Sequence, residues 1–305
     1  MKPVCLITLL LMNVLWAAAY SLFKVLTPVL DAGTLTTLRF GLATLLMAGA
    51  WRWIPGSAPR GLDLVKTAII GLLVFCLAPR LQVTGVQLGK AGDAAILMAF
   101  DPVIVVVAAA IFLRERVSLR SRTGFALGLV GVTVLAEFWR PDFHWPNLTA
   151  NALILASFAC ESTYSIMGKQ LLQRAHPVKV LLCSLSVGTM VNLALDGPGM
   201  LRALPRLEFL HWLVIAYLVV LCTVVGYLLW FFAIRETPVS IVASTVFMQP
   251  LAGVLFALLL VDETPRWSQL GGAIFIAAGL VVALSGPSAR SVEPGDRPAR
   301  EQDRS

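Results

Sequence analysis

Four ionisable side chains stand inside long apolar runs of this sequence: Arg39, Arg80, Asp101 and Glu161. A charge in an apolar environment costs about 3 kcal/mol or more, so each one needs a partner, a hydrated cavity or a function. A guanidinium pairs with a carboxylate or phosphate, and a carboxylate pairs with an amine. These residue types predict a binding site for a small polar or charged molecule. Structural ion pairs, such as Arg80 with Asp101, are the alternative.

Aromatic and amide side chains occupy the same kind of apolar run and join the candidate binding residues: Trp16, Tyr20, Tyr164 and Gln249. Aromatic faces stack on apolar or cationic parts of a ligand. The three His residues are scattered and lack nucleophile-base spacing, and the five Cys residues lack metal-ligand spacing. The sequence therefore predicts no catalytic residue, no cofactor and no metal site.

The segments that carry these residues have the length and composition of membrane spans. The 305-residue sequence is 58% hydrophobic and 13% charged, whereas charged residues make up about a quarter of a soluble domain. An apolar helix of ~20 residues crosses the hydrocarbon core. We predict an all-α integral membrane protein with ten transmembrane helices, near residues 4–24, 30–51, 67–88, 91–113, 121–138, 149–171, 178–197, 208–233, 238–261 and 268–285.

The net charge of +7 follows the pattern of a membrane topology with both termini in the cytoplasm. In that orientation sixteen of the 24 Lys and Arg residues lie on the cytoplasmic side, seven lie outside, and Arg39 lies within a helix. The positive-inside rule predicts this bias. The charge therefore indicates orientation in a bacterial inner membrane rather than binding to nucleic acid.

The candidate residues also share one depth in the membrane. With a rise of ~1.5 Å per residue, they fall about 12 to 18 Å below the outer helix ends. This layer contains Trp16, Arg39, Arg80, Asp101, Glu161 and Gln249. A common depth on six helices predicts that they line a central cavity, where transporters place their substrate sites.

A pattern recurs along the chain at a constant spacing of 148 residues. Its members Pro102, Glu115, Gly124 and Gly131 return as Pro250, Glu263, Gly272 and Gly279. A duplicated unit with an odd number of spans inserts its two copies in opposite orientations. We therefore predict two inverted five-helix repeats, 1–138 and 149–285, with an external linker at 139–148 and a disordered cytoplasmic tail at 286–305.

Prolines and glycines inside the predicted helices indicate irregular or close packing. Pro102 and Pro250 are predicted mid-helix, where a proline kinks the helix, either beside a substrate site or merely as part of its shape. Small residues recur in the fifth and tenth helices, at Gly124, Gly128, Gly131, Gly271, Gly272 and Gly279. Such faces let backbones approach closely, so they predict either packing within the molecule or a homodimer face.

The repeated motifs resemble those of the EamA-type family of the drug/metabolite transporter superfamily. The first copy reads AGDAAIL at 91–97, Asp101-Pro102 and FLRERVSL at 112–119, and the second reads Gln249-Pro250 and VDETP at 261–265. The resemblance covers nearly the whole chain and implies a ten-helix carrier that moves small metabolites, often outward. Glu161 and Arg80 depart from the family's usual residues, which suggests a polar or charged cargo.

Together these features predict a secondary transporter that exports a small polar metabolite, such as an amino acid or a related amphiphilic compound, by alternating access. Its expected partners are this small molecule and the lipid bilayer. Burial disfavours the charged form of a carboxyl, which makes Glu161 and Asp101 candidates for proton coupling. Facilitated diffusion, with Glu161 as a plain substrate contact, is the alternative. A membrane-embedded transferase-type enzyme and a non-transporting receptor or scaffold are the other function classes.

Overall fold

The structure of the protein is a computed structural model that describes residues 3–49, 51–54, 56–88, 97–98, 100–115, 117–136, 148–252 and 267–285. The predicted tail and most of the predicted linker lie outside the described residues. Helices and short connections make up the described part of the chain, and none of it is a strand. The prediction of an all-helical fold is confirmed.

Ten helical segments follow one another along the described residues, and each overlaps one of the predicted segments. They are α1 Pro3–Leu26, α2 Ala32–Ala48, α3 Leu62–Leu88, α4 Phe100–Phe112, α5 Leu119–Ala136, α6 Leu148–Leu171, α7 Pro177–Ala203, α8 Phe209–Glu236, α9 Val239–Ala252 and α10 Trp267–Leu284.

Three stretches in the described residues are long and apolar enough to cross a membrane. They are Leu62–Leu88, Pro177–Arg206 and Phe209–Glu236. Five further apolar stretches are shorter, at 10 to 17 residues: Val4–Ala19, Ala32–Ala48, Phe100–Phe112, Val239–Ala252 and Gly271–Leu284. The count of ten spans therefore stays a prediction.

The two prolines lie where helices lose their regular geometry. The backbone N of Asp101 donates a 3.2 Å hydrogen bond to the carbonyl of Met98, in a turn just before α4. Pro102 thus lies in the first turn of α4 and not mid-helix as predicted, and a proline there costs no intrahelical hydrogen bond. Pro250 follows a 3₁₀ turn at Thr245–Phe247 inside α9. Predicted helix residues 91–96 and 253–261 lie outside the described part.

Irregular backbone recurs in α3 and α8 at the spacing found in the sequence. A π-helical insertion occupies Leu73–Leu77 in α3 and Leu218–Val225 in α8. The last residues of these insertions, Leu77 and Val225, are separated by the same 148 positions as the repeated motifs. A π turn takes one residue more than an α turn, so carbonyls leave the regular ladder and can accept side-chain donors.

Glycines of α5 and α10 bring the two backbones into direct contact. A Cβ added to Gly124 would lie 2.6 Å from the carbonyl oxygen of Gly279, and a Cβ added to Gly279 would lie 2.6 Å from that of Gly124. Gly131 faces the carbonyl oxygen of Gly272 in the same way, at 2.7 Å. Because these glycines pack within one chain, this surface is not open to a second copy.

Two acidic side chains cap helix N-termini away from the predicted polar layer. Oδ1 of Asp31 accepts a 2.9 Å hydrogen bond from the backbone N of Thr34 at the start of α2. The carboxylate of Glu115, from the repeated motif, accepts hydrogen bonds of 2.9 and 3.1 Å from the backbone N atoms of Val239 and Ser240 at the start of α9. Both carboxylates satisfy donors that the helix itself leaves unpaired.

Candidate functional site

A cavity of about 70 Å³ lies between seven helices, α1, α2, α3, α4, α6, α8 and α9. Its lining includes six of the eight residues predicted to bind a substrate: Trp16, Arg39, Asp101, Glu161, Tyr164 and Gln249. A cation, two acids, an amide and two aromatic rings thus meet around one space, although they come from five different helices.

Of the other two predicted binding residues, Arg80 is not part of this lining. Arg80 forms an ion pair with Asp196 and donates hydrogen bonds of 3.2 and 2.8 Å to Oδ1 of Asn192. These contacts join α3 to α7, and they replace the pairing with Asp101 considered from the sequence. The side chain of Tyr20 lies outside the described part of α1.

Arg39 supplies positive charge to the cavity. Its side chain is 9% exposed, and its Nε donates a 2.8 Å hydrogen bond to Oγ1 of Thr223. The guanidinium carbon lies 5.0 Å from the ring centre of Phe40 and 5.9 Å from that of Phe23, contacts that stabilise a buried cation. Among the described residues, no carboxylate lies within 4.0 Å of Arg39. Its terminal amino groups are therefore available to an anion.

The π-helical insertion of α8 holds both Arg39 and Trp16 in place. The hydroxyl of Thr223, which accepts from Arg39, itself donates a 2.8 Å hydrogen bond to the carbonyl of Leu218, five residues earlier. The carbonyl of Cys222 accepts a 2.8 Å hydrogen bond from Nε1 of Trp16. Thr223 and Cys222 are not recognisable as site residues from the sequence, because a π insertion has no residue signature.

Aromatic rings form one wall of the site. Ring centres are 5.4 Å apart for Tyr164 and Tyr227, 5.6 Å for Trp16 and Tyr227, and 5.9 Å for Trp16 and Trp230. A Cβ added to Gly226 would lie 2.5 Å from Nε1 of Trp16, so the indole packs directly against the backbone of α8. Tyr227 also lines the cavity and was not predicted from the sequence.

Asp101 and Glu161 supply negative charge from α4 and α6, which pack against each other. The two carboxyls interact electrostatically, and Glu161 also interacts with Arg39. Neither carboxyl has a cationic partner within 4.0 Å in the part of the chain that the structure describes. The same part holds no group of three or more potential metal ligands. The pair is therefore open to an amine or a proton.

Gln249 connects the cavity to α1 through a buried chain of amides. Its Nε2 donates a 2.8 Å hydrogen bond to Oδ1 of Asn13, whose Nδ2 donates to Oγ1 of Thr245 at 3.0 Å and to the carbonyl of Leu9 at 2.8 Å. Asn13 is fully buried, and Gln249 is 7% exposed. Asn13 is not among the predicted site residues, although its short polar side chain in a long apolar run is a signal that could have identified it.

Comparison with known proteins places this architecture in a family. The sequence profile of the EamA-like transporter family matches residues 3–136 and 148–285. The protein belongs to the EamA-like transporter family. The resemblance found from the repeated motifs is thereby confirmed, and membership identifies a multi-pass membrane protein with a role in transport.

Individual relatives agree with this assignment over most of their length. An uncharacterized transporter of Archaeoglobus fulgidus is 24% identical over 279 residues, which cover 91% of this chain and 98% of the relative. A probable terminal-alkyne amino-acid exporter of Streptantibioticus cattleyicolor is 26% identical over 275 residues, which cover 90% and 91%. A protein of known crystal structure has the same fold, with a TM-score of 0.76 at 16% identity over 93% of this chain and 99% of the other.

Proposed function

We propose that this protein exports a small metabolite that carries both a carboxylate and an amine, an amino acid or a related amphiphilic compound. The observation that carries the proposal is the shared cavity of Arg39, Asp101 and Glu161, in which no two of these charges form an ion pair within 4.0 Å. A ligand with both charges would complement the cation and the acids together. The name of the Streptantibioticus cattleyicolor relative, a probable terminal-alkyne amino-acid exporter, agrees with this class of cargo.

The contacts of each side chain support distinct roles in binding. Nε of Arg39 is engaged by Thr223, so its two terminal amino groups are left to bind a carboxylate with two hydrogen bonds. Asp101 and Glu161 would accept hydrogen bonds from the amine. Trp16 and Tyr164 would pack against the rest of the molecule. Arg80, paired with Asp196 outside the lining, has no role in the proposed site.

The proposed mechanism is alternating access between two inverted five-helix repeats, 1–138 and 149–285, in ten spans of a bacterial inner membrane with both termini in the cytoplasm. The reciprocal glycine contacts of α5 and α10 support a twofold relation between the halves. The turn before α4 and the 3₁₀ turn of α9 lie beside Asp101 and Gln249, so bending there would change the cavity. Proton exchange or the gradient of the metabolite itself would drive export.

Transport by the purified protein in lipid vesicles tests the proposal. Vesicles that contain the protein and are preloaded with unlabelled amino acids are expected to take up the same amino acids in labelled form by exchange. Vesicles without the protein are not expected to take them up. Arg39→Gln and Glu161→Gln should each lower the exchange rate at least tenfold at equal protein content. Arg80→Gln, outside the cavity lining, is the matched control and should retain most of the exchange. Full activity of the first two variants would overturn the site, and no exchange of any amino acid would overturn the function.

A further inference from the structure

The two halves of the chain place polar pairs at matching positions. Asn13 in α1 corresponds to Glu161 in α6 through the 148-residue spacing, and Asp101 in α4 corresponds to Gln249 in α9. The packing matches as well, because α1 contacts the 3₁₀ turn of α9 and α6 contacts α4. Each pair joins the two halves, and exchanging the halves turns the pair of Asn13 and Gln249 into the pair of Glu161 and Asp101.

The amide pair, Asn13 and Gln249, shows how close two side chains at such positions come to each other. Nε2 of Gln249 donates a hydrogen bond of 2.8 Å to Oδ1 of Asn13, so in this pair the two side chains are within hydrogen-bond distance. In the matching pair, Glu161 and Asp101, both side chains are carboxyls, which have no donor when both are ionised. Two carboxylates that share a site repel each other, and a single proton turns one of them into a donor for the other.

We propose that Glu161 and Asp101 share one proton, and that the ammonium group of a substrate displaces it. This inference rests on the proposed function and names the coupling ion of the same site. With the proton in place, the pair carries one negative charge and balances the positive charge of Arg39. When an ammonium group binds instead, both carboxyls are ionised, and the released proton passes to water. Substrate and proton therefore compete for one place, which couples outward movement of one to inward movement of the other.

Among the described residues that line the cavity, Arg39 is the cation beside Glu161 and Asp101. Besides Arg39 from α2, the titratable groups that face the carboxyls in the described structure are Tyr164 from α6 and Tyr227 from α8, with Cys160 next to Glu161. Phenols and thiols stay neutral near pH 7. Arg39 is more than nine-tenths buried, lines the same cavity and lacks a carboxylate within 4.0 Å among the described residues. A buried Arg39 without such a partner is a separate indication that the cavity receives an anionic group beside the carboxyl pair.

The charge balance predicts how the exchange responds to membrane potential. When one zwitterionic molecule leaves as one proton enters, one positive charge moves inward, so a potential that is negative inside accelerates export. When a monovalent amine without a carboxylate leaves for one proton, no net charge moves. L-Phenylalanine and phenethylamine, which differ by the carboxylate alone, are suitable probes of this difference.

Infrared difference spectroscopy of the purified protein, without any substrate, tests the shared proton directly. Over a pH titration the wild type is expected to show one protonated carboxyl per chain that is lost in Glu161→Gln and in Asp101→Asn. The matched control is the double variant Asp101→Gln/Glu161→Asn, which copies the neutral pair of Gln249 and Asn13. It should unfold at the wild-type temperature and lack the signal. A missing signal in the wild type, or an unchanged signal in the folded double variant, would overturn the proposal.

Vesicle transport with and without a pH gradient separates this inference from the proposed function. The gradient should stimulate phenylalanine movement by the wild type at least tenfold and leave the double variant unaffected. Wild-type transport that ignores the gradient would overturn proton coupling while the exporter function stands. If no amino acid is transported but the infrared signal is present, the exporter function fails and the shared proton stands.

Discussion

Arg39 is held by Thr223, whose hydroxyl oxygen accepts a 2.8 Å hydrogen bond from Nε of the guanidinium. The two residues are 184 positions apart in the sequence and belong to α2 and α8. Since the hydroxyl also donates to the carbonyl of Leu218, its lone pairs point toward Arg39. This contact fixes one side of the guanidinium and leaves the other side to the cavity.

Thr223→Val is expected to loosen Arg39 while keeping the shape of the residue at 223. Loss of the acceptor leaves the buried Nε without a partner, which should lower the free energy of unfolding by about 1–3 kcal/mol. Thr223→Ser keeps the hydroxyl and is the control. Unfolding of both variants in detergent, followed by circular dichroism, measures the difference. Equal stability of the Val and Ser variants would show that the hydroxyl does not hold Arg39.

Asp196→Asn should affect stability far more than transport. The side chains of Arg80 and Asp196 are 21% and 26% exposed, so the expected strength of their ion pair is between that of a surface pair and that of a buried pair. Breaking it should lower the free energy of unfolding by about 1–3 kcal/mol. Amino-acid exchange per folded molecule should stay within twofold of wild type. A tenfold loss of exchange at unchanged stability would instead support the prediction from the sequence that Arg80 belongs to the substrate site.

Gly279→Ala is expected to push α5 and α10 apart. The new Cβ would lie 2.6 Å from the carbonyl oxygen of Gly124, and backbone atoms cannot move aside as a flexible side chain can. Overpacking of this kind costs about 1–3 kcal/mol. Gly271→Ala in the same helix is the matched control, because a Cβ there would lie 3.5 Å from Cγ1 of Val134, an ordinary van der Waals contact, and helix propensity should make it neutral or up to about 1 kcal/mol stabilising. The unfolding temperature should therefore fall for Gly279→Ala and stay the same or rise for the control variant.

Asp31, the N-cap residue of α2, should make the free energy of unfolding lower in acid, where its carboxylate becomes protonated. Burial acts to raise the pKa of Asp31, but hydrogen bonds from Thr34 and from the backbone of Gly33 outweigh it, and the net pKa lies below its ordinary value of 3.8. Because the pKa is depressed in the folded state, the stabilising contribution is complete above pH 3.8 and is lost as the pH falls through the folded value.

Asp31→Asn separates this acid effect from capping itself. Asn still accepts the hydrogen bond from the backbone N of Thr34, so the variant should keep the capping part of the stability. It should lack the charge-dependent part at pH 7 and therefore show no further loss in acid. Asp31→Ala should lose about 1 kcal/mol at pH 7. Denaturant unfolding at a series of pH values between 3 and 7 measures both. The same acid response in Asp31→Asn as in wild type would assign the effect to another group.

Depth in the membrane predicted most of the site but not the direction of each side chain. Charges in apolar runs identified Arg39, Asp101 and Glu161, because any such charge must be accounted for. Arg80 was included on the same grounds, yet it is Pro79, one position earlier, that lines the cavity. Successive helical residues point ~100° apart, so a depth estimate cannot say which of two neighbours faces inward.

The sequence pattern predicted where the helices lie but not where their regular geometry is interrupted. Apolar length located each segment, and the constant spacing of 148 residues related Pro102 to Pro250 and Gly131 to Gly279 before any contact was known. The turn before α4 was not foreseen, because the residues on both sides of it are equally apolar. Pro102 therefore appeared to interrupt a helix that in fact begins beside it.

The sequence by itself determined the helical segments, their repetition and the charges that need a partner or a ligand. These properties depend on hydrophobicity and spacing along the chain, which are local. Only the tertiary structure decided that Thr223 holds Arg39, that Asp196 takes Arg80, and that Asp101 and Glu161 are left together in the cavity. Such pairings join residues far apart in sequence, and they are set by how helices rotate and pack, which no single segment encodes.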